Sequence, residues 1–295
     1  MIFLDSFKLP DNRSEDDFLL RSYKMDMRYY SPDNIHPFRF FSEKGLYHLN
    51  FAPITIFYGS NGSGKSTLLN VISETLGLKR SSPFNKTQFL YDYCELCHQY
   101  SYSKIPLESR IITSDDVFDF LLDIRSINIG ISSKRERLCD EYEVEKMASQ
   151  SGKTVRMRTF DDLELLKKRN EVNHSTKSAY VSRRLPKELC GKSNGESAFL
   201  YFTQEIKDNA LYLLDEPENS LSPALQLKLR QFIEDSVRFY GCQFVISTHS
   251  PFLLSLKGAR IYDLDAIPVT EKKWTELESV RLFHDFFEQH RNDFT

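Results

Sequence analysis

Apolar positions along the chain change period several times, and the changes mark out its elements. Gly45 to Phe51 (GLYHLNF) alternates apolar and polar with period two, as a half-buried strand does. Pro53 to Tyr58 (PITIFY) is a short β-branched and aromatic run, which predicts a buried strand. From Ser66 the period lengthens, and Leu68, Leu69, Val71, Ile72 and Leu76 share one helical face. Residues 1–58 read as β-rich and 78–110 as polar and turn-rich. Arg110 to Thr113 (RIIT) is another short strand, and Ser114-Asp115-Asp116 then supplies an N-cap and first-turn acids for a helix through Leu122. Residues 133–190 are charged and helical in pattern, with breaks at Gly152 and Pro186. Beyond Gly195 the spacing predicts a helix over Glu196–Ile206, an apolar strand Ala210–Leu214, a helix Pro223–Phe239, an apolar strand Gln243–Ser247, a strand near Arg260–Leu264 and an amphipathic helix near Leu277–His290. Apolar strands alternating with helices argue for an α/β fold built on a mainly parallel sheet covered on both faces. The expected division is an α/β core of residues 1–80 and 190–295 with an inserted helical lobe, 81–189.

Composition alters this picture little. The 295 residues are 40% hydrophobic and 27% charged, the balance of a folded chain. The net charge of -3 excludes a molecule that is an overall magnet for nucleic acid. The segment Lys134–Lys192 nevertheless carries 15 basic and 10 acidic residues, so a basic stretch sits inside an acidic body. No apolar run reaches the roughly 18 residues that span a bilayer. The start, MIFLDSFKLP, lacks the basic and apolar regions of a leader, which points to the cytoplasm. Five scattered cysteines imply no disulfide framework. Cys94 to His98 spells C-x-x-C-H, but haem attachment needs export, and zinc would need a fourth ligand that no second C-x-x-C supplies.

The chemistry concentrates in four places. Gly59-Ser60-Asn61-Gly62-Ser63-Gly64-Lys65-Ser66-Thr67 fits G-x-x-x-x-G-K-[ST] between an expected strand and helix. Its glycines let successive N–H groups turn inward on phosphate oxygens, and the helix N-terminus adds positive potential. Lys65 is placed to neutralise the β- and γ-phosphates of ATP, and the Ser66 hydroxyl to help hold Mg2+. The run Ala210–Pro217 is an apolar strand ending in two carboxylates: Asp215 for the Mg2+ shell and Glu216 to polarise the attacking water. Ser193-Asn194-Gly195-Glu196 stands just ahead of a helix. Ser247-Thr248-His249-Ser250-Pro251 ends the next apolar strand, where His249 can reach a γ-phosphate.

At these four points the sequence resembles the ATPase domains of the ABC superfamily, especially the soluble branch related to SMC, RecF and overcoming-lysogenization ATPases. The resemblance covers about residues 45–75 and 190–265 and implies a P-loop NTPase of ABC type. Lys65 and Ser66 correspond to the Walker A residues, Asp215 and Glu216 to the Walker B aspartate and catalytic glutamate, Ser193 to Glu196 to the signature loop, and His249 to the switch histidine. Glu218-Asn219-Ser220-Leu221-Ser222 corresponds to the D-loop, along the dimer interface. The family implies two protomers closed head to tail over two ATP molecules, each phosphate loop facing the partner's Ser193 and Gly195. Three departures stand out. Asn194 replaces the usual glycine, a change a left-handed backbone would tolerate. The Q-loop glutamine is missing; Asp115, otherwise an N-cap, or Gln88 could take its metal-facing place. The adenine-stacking aromatic is open between Phe38, Phe40 and Tyr47.

In the SMC-like branch a coiled coil fills the interval between phosphate loop and signature. Here roughly 50 charged helical residues, around Ser132–Leu185, would give two antiparallel helices reaching about 35 Å at 1.5 Å per residue. Arg156, Arg158, Lys167, Lys168, Arg169, Arg183 and Arg184 tilt this lobe basic, for a nucleic-acid backbone or only solvent. The leading reading is a stand-alone ATPase that serves a nucleic-acid-linked process such as DNA maintenance or anti-phage defence, or gates an effector subunit. The alternatives are the nucleotide-binding subunit of a membrane transporter and a non-hydrolysing, ATP-dependent dimerisation module.

Overall fold

The run Ile54–Tyr58 (β3) is buried at every residue, as a strand covered on both faces must be. It lies inside a six-stranded sheet in the computed structural model, which describes residues 2–23, 35–84, 86–101, 103–150, 167, 170–185 and 193–294. The other strands are Arg110–Thr113 (β5), Leu211–Asp215 (β6), Gln243–Ser247 (β7), Arg260–Asp263 (β8) and Thr270–Glu271 (β9), in the order β5-β6-β7-β3-β8-β9. All neighbours run parallel except β8 and β9. Asp215 stands opposite Ser247, and Phe57 opposite Ser247 and Tyr262. The carboxyl ends of β3, β6 and β7 therefore open at one edge, the place where open α/β sheets bind ligands.

The chain divides into two compact units, residues 1–118 with 194–295 and residues 119–193. The boundary falls well past residue 81, because β5 belongs to the main sheet and Leu90–Leu96 packs on the core through Leu90 and Tyr93. Only 119–193 form the insert. The helix after β5 also runs further than Leu122: it extends unbroken for 37 residues, Ser114–Gln150, or about 55 Å. Most of this helix is solvent-exposed, and no apolar period announces its continuation past Leu122. Its cap is Thr113 rather than Ser114 or Asp115. Thr113 Oγ1 accepts from the Asp116 N–H at 3.4 Å, and Asp116 Oδ2 accepts from the Thr113 N–H at 2.7 Å, a reciprocal capping box.

Within the 119–193 unit, Leu138, Val172, Tyr180 and Val181 form a small core. The Arg184 guanidinium lies 3.9 Å from the Tyr180 ring centroid and donates to Glu171 at 2.6 Å, so this arginine is engaged inside its own unit. Arg183 and Lys167 are exposed. Arg156, Arg158, Lys168 and Arg169 lie outside the described residues, as do Gly152 and Pro186.

The N-terminal layer is less β-rich than its sequence suggests. Ser6–Lys8 (β1), His48–Asn50 (β2) and His98–Tyr100 (β4) form a small antiparallel sheet with β1 in the middle. Asn12–Tyr23 is helical, begun by Asp11, whose Oδ1 accepts from the Ser14 N–H at 2.8 Å. Its buried face holds only Glu15 and Leu19, so apolar spacing gives no warning of it.

Glu15 is fully buried. Its Oε2 accepts from the Arg39 N–H and the Ser42 hydroxyl, both at 2.8 Å, while Oε1 has no partner. Burial pushes the carboxyl up to about 7, against the pull of those two donors. A folded-state value above the unfolded one means the native chain holds an extra proton between about pH 4.5 and pH 7. The group's contribution is full below that window and is lost as pH rises through about 7. Glu15→Gln keeps an acceptor oxygen and cannot ionise. It should therefore be more stable than the parent at pH 8, by roughly 1–3 kcal/mol, with little difference at pH 4.5. Denaturant melts at the two pH values check this; equal differences at both would contradict it.

Candidate nucleotide site

Gly59 to Gly64 turn tightly between β3 and the helix Lys65–Leu76. Gly64 has φ 99°, and a Cβ there would lie 2.3 Å from the Phe40 ring, so glycine is required both by the backbone and by the ring packed on it. A cavity of about 300 Å³ opens here, lined by His36, Phe40, Asn61, Gly62, Gly64, Lys65, Ser66, Thr67 and Glu216. Ring packing against Phe40 and a 3.3 Å contact with Thr67 Oγ1 hold His36 at its edge. Of the three aromatic candidates only Phe40 lines this cavity; Phe38 is in the core, and the Tyr47 hydroxyl donates to Ser42 O at 3.0 Å.

Lys65 is buried, and its Nζ donates to the carbonyls of Gly59 at 2.9 Å and Ser60 at 3.1 Å. Burial pushes its pKa down, and Glu216, 3.9 Å away, pulls it back up. Two charged residues brace the outside of the loop. Lys44 Nζ donates to Ser63 O at 2.9 Å and to Leu264 O at 2.8 Å. Asp265 accepts from the Ser60 N–H at 2.6 Å and the Ser60 hydroxyl at 2.8 Å. Sequence reasoning missed both, since each is a lone charged residue; the one signal for Asp265 is its place just past the end of β8, beside β3.

The acidic strand end meets the loop directly. Ser66 Oγ donates to Asp215 Oδ1 at 3.1 Å, and Ser247 Oγ donates to the same oxygen. Burial pushes the Asp215 carboxyl up, and these two hydroxyls lower it again. Mg2+ takes oxygen ligands at about 2.0–2.1 Å in octahedral geometry, which sets neighbouring ligand oxygens about 3 Å apart. The spacing and the hard-oxygen chemistry of Ser66 and Asp215 both fit that ion. Among the described residues, no group of three or more His, Cys, Asp or Glu could hold a metal by itself.

Glu216 has φ 47°, a left-handed conformation for a residue with a side chain; such strain collects at functional positions. Its Oε2 accepts from Asn219 Nδ2 at 3.0 Å, and its Oε1 lies 3.5 Å from His249 Nε2. Lys65, Ser66, Asp215, Glu216 and His249 thus form one cluster.

Other candidates fall elsewhere. Asp115 and Gln88 are exposed and do not line the cavity. Asp116, beside Asp115, is buried and bonds the Ser82 and Thr113 N–H groups. The helix that follows Ser193 spans Asn194–Glu205 and starts two residues earlier than its apolar spacing indicates. Asn194 is helical rather than left-handed. A Cβ at Gly195 would meet the end of the Leu225 side chain, Cδ1, at 2.8 Å and Ser220 O at 3.4 Å. Cys94 and Cys97 bond the carbonyls of Val71 and Tyr93, and burial raises the Cys94 thiol to about 11 and Cys97 further.

Residues 186–255, which include Ser193, Asp215, Glu216 and His249, match a family profile described as "AAA domain, putative AbiEii toxin, Type IV TA system". Several solved structures are similar. The SMC head domain from Thermotoga maritima is 12% identical, with 92% of this chain and 99% of that chain covered and a TM-score of 0.41. The Pyrococcus furiosus SMC head domain bound to the C-terminal domain of ScpA is 15% identical over 83% and 95% of the two chains, with a TM-score of 0.39. The ATP-binding cassette MJ0796, dimeric and bound to ADP and Pi, is 15% identical over 78% and 90%, with a TM-score of 0.35. No curated protein matches the chain. The phosphate loop, the acid-ended strand joined to it and the mainly parallel sheet define a P-loop nucleoside-triphosphatase domain. Residues 186–255 are accordingly similar to that AAA-domain family, and the chain has the fold of a P-loop NTPase. Among the described residues no helix is long and apolar enough to cross a membrane.

Proposed function

We propose that the chain binds Mg-ATP and hydrolyses it between two copies of itself. The observation that carries this reading is the contact of Ser66 with Asp215, 149 positions apart, beside Glu216, whose Oε1 lies near both the buried lysine and His249. Lys65 leaves the Gly59 and Ser60 carbonyls for the β- and γ-phosphates. The loop N–H groups and the helix N-terminus accept the remaining negative charge. Ser66 and Asp215 would hold Mg2+, which when bound neutralises charge on the phosphate oxygens. Glu216 accepts a proton from the attacking water, and His249 reaches the γ-phosphate from the far side of Glu216. Phe40 offers a flat face for the base. The partner's Ser193 to Glu196 brings a second helix N-terminus to the γ-phosphate, closing each site from across the dimer.

The use of this cycle is read as regulatory: hydrolysis loosens the dimer and gates an effector or a nucleic-acid-linked process. The description of the matched family, "putative AbiEii toxin, Type IV TA system", favours a defence setting. Light scattering on Glu216→Gln tests the shared site. Mg-ATP should double its mass in solution; a variant that binds Mg-ATP and stays a monomer would rule out the self-dimer.

A further inference from the structure

Glu218 lies in the stretch that the family resemblance assigns to an interface loop, yet its side chain turns inward. One oxygen, Oε1, accepts from the Thr248 hydroxyl at 2.7 Å, the His249 N–H at 2.7 Å and the Ser250 N–H at 3.1 Å. The other, Oε2, is buried without a partner. Thr248 is fully buried as well. The ladder between β6 and β7 ends at Asp215 and Ser247, followed by one bond from the Glu216 N–H to Ser247 O at 3.0 Å. Past that point both segments leave the sheet; the Glu218 carboxylate joins them through three bonds, and the Ser250 hydroxyl adds one to Gln226 Oε1 at 2.7 Å. Charge-assisted bonds to two successive N–H groups fix a loop more firmly than neutral ones would.

We infer that Glu218 is a positioning residue that holds the His249 loop against Glu216, setting the distance between the histidine ring and the carboxylate from behind. It touches neither nucleotide nor water in this role. The turn between Glu216 and Glu218 then acts as a rigid link: Glu216 faces the phosphate loop, and Glu218 anchors the loop that carries His249. The inference rests on the proposed hydrolysis for its effect on rate, but the positioning itself can be read without turnover.

The test uses the full chain with Glu218→Ala, Glu218→Gln and His249→Ala, singly and combined. Glu218→Ala should lower kcat about 10- to 100-fold with KM for ATP within about twofold. In the His249→Ala background the same change should cost less than about threefold, since both act through one group. Glu218→Gln, which keeps one acceptor oxygen, should recover part of the rate and guards against a variant that fails to fold. NMR of the imidazole signals gives the second readout: of the seven histidines, His249 should shift or broaden selectively in Glu218→Ala. Additive losses in the double variant, or an unmoved His249 signal in folded protein, would overturn the inference. If the parent chain hydrolyses no ATP, the hydrolysis reading fails by itself and the His249 signal alone decides the positioning role.

Discussion

Replacing Glu216 by glutamine should leave ATP affinity within about threefold of the parent and cut turnover by about 10²- to 10⁴-fold, the usual reach of a general base. The geometry explains the split. Glu216 Oε1 lies near Lys65 and His249, and Oε2 accepts from Asn219 Nδ2. Glutamine is the same shape, so the left-handed backbone at this position is undisturbed. What disappears is the negative charge that draws a proton from water. Loss of one carboxylate also removes the nearest counter-charge to Lys65, which frees the ammonium for phosphate; a small rise in affinity would follow the same logic. Phosphate release and equilibrium binding, measured on one preparation, separate the two effects. Full turnover in Glu216→Gln would remove this residue from the chemistry.

Lys65→Ala should act on binding instead. The side chain is buried against the loop carbonyls, and burial already disfavours its charge. Its removal relieves a desolvated ammonium, so the fold should melt no earlier than the parent. ATP, however, loses a charge-assisted donor in a low-dielectric site. Two such contacts at about 1.5–3 kcal/mol each correspond to at least a 10²-fold loss of affinity. Calorimetric titration with Mg-ATP and a thermal melt check both halves. Unchanged affinity would place the phosphates elsewhere than this loop.

Much of the site was legible because its parts are local. Gly59 to Thr67 is one contiguous turn, and only a strand and a helix on either side were needed to interpret it. The acid pair at Asp215 and Glu216 was visible because an all-apolar strand ends there. His249 followed from the next strand. The contacts that tune these groups were not legible. Glu218 belongs to a run that reads as a surface loop, and nothing in its neighbours says that it turns inward to the residues 30 positions away. Asp265 and Lys44 brace the phosphate loop from opposite ends of the chain, and isolated charges look like solvated surface.

The fold shows the same division. Apolar periodicity located β3, β6 and β7, since burial on both faces leaves its mark in the residues. It missed the helix Asn12–Tyr23, where the buried face includes an acid, Glu15. It also ended the helix Ser114–Gln150 early, because beyond Leu121 few of its positions are buried. Asn194 opens the helix Asn194–Glu205, so its tolerance of a left-handed backbone is not called on.

The shared, head-to-tail site is the central claim, and mixing two inactive variants tests it most directly. Lys65→Ala lacks a working phosphate loop but keeps its signature, and Ser193→Arg keeps the loop and blocks the signature. If each site is built from both chains, a mixed dimer has one intact site, so an equimolar mixture of the two should regain up to about a quarter of the parent ATPase rate. A mixture no more active than its two components, with each variant folded, would contradict the shared site.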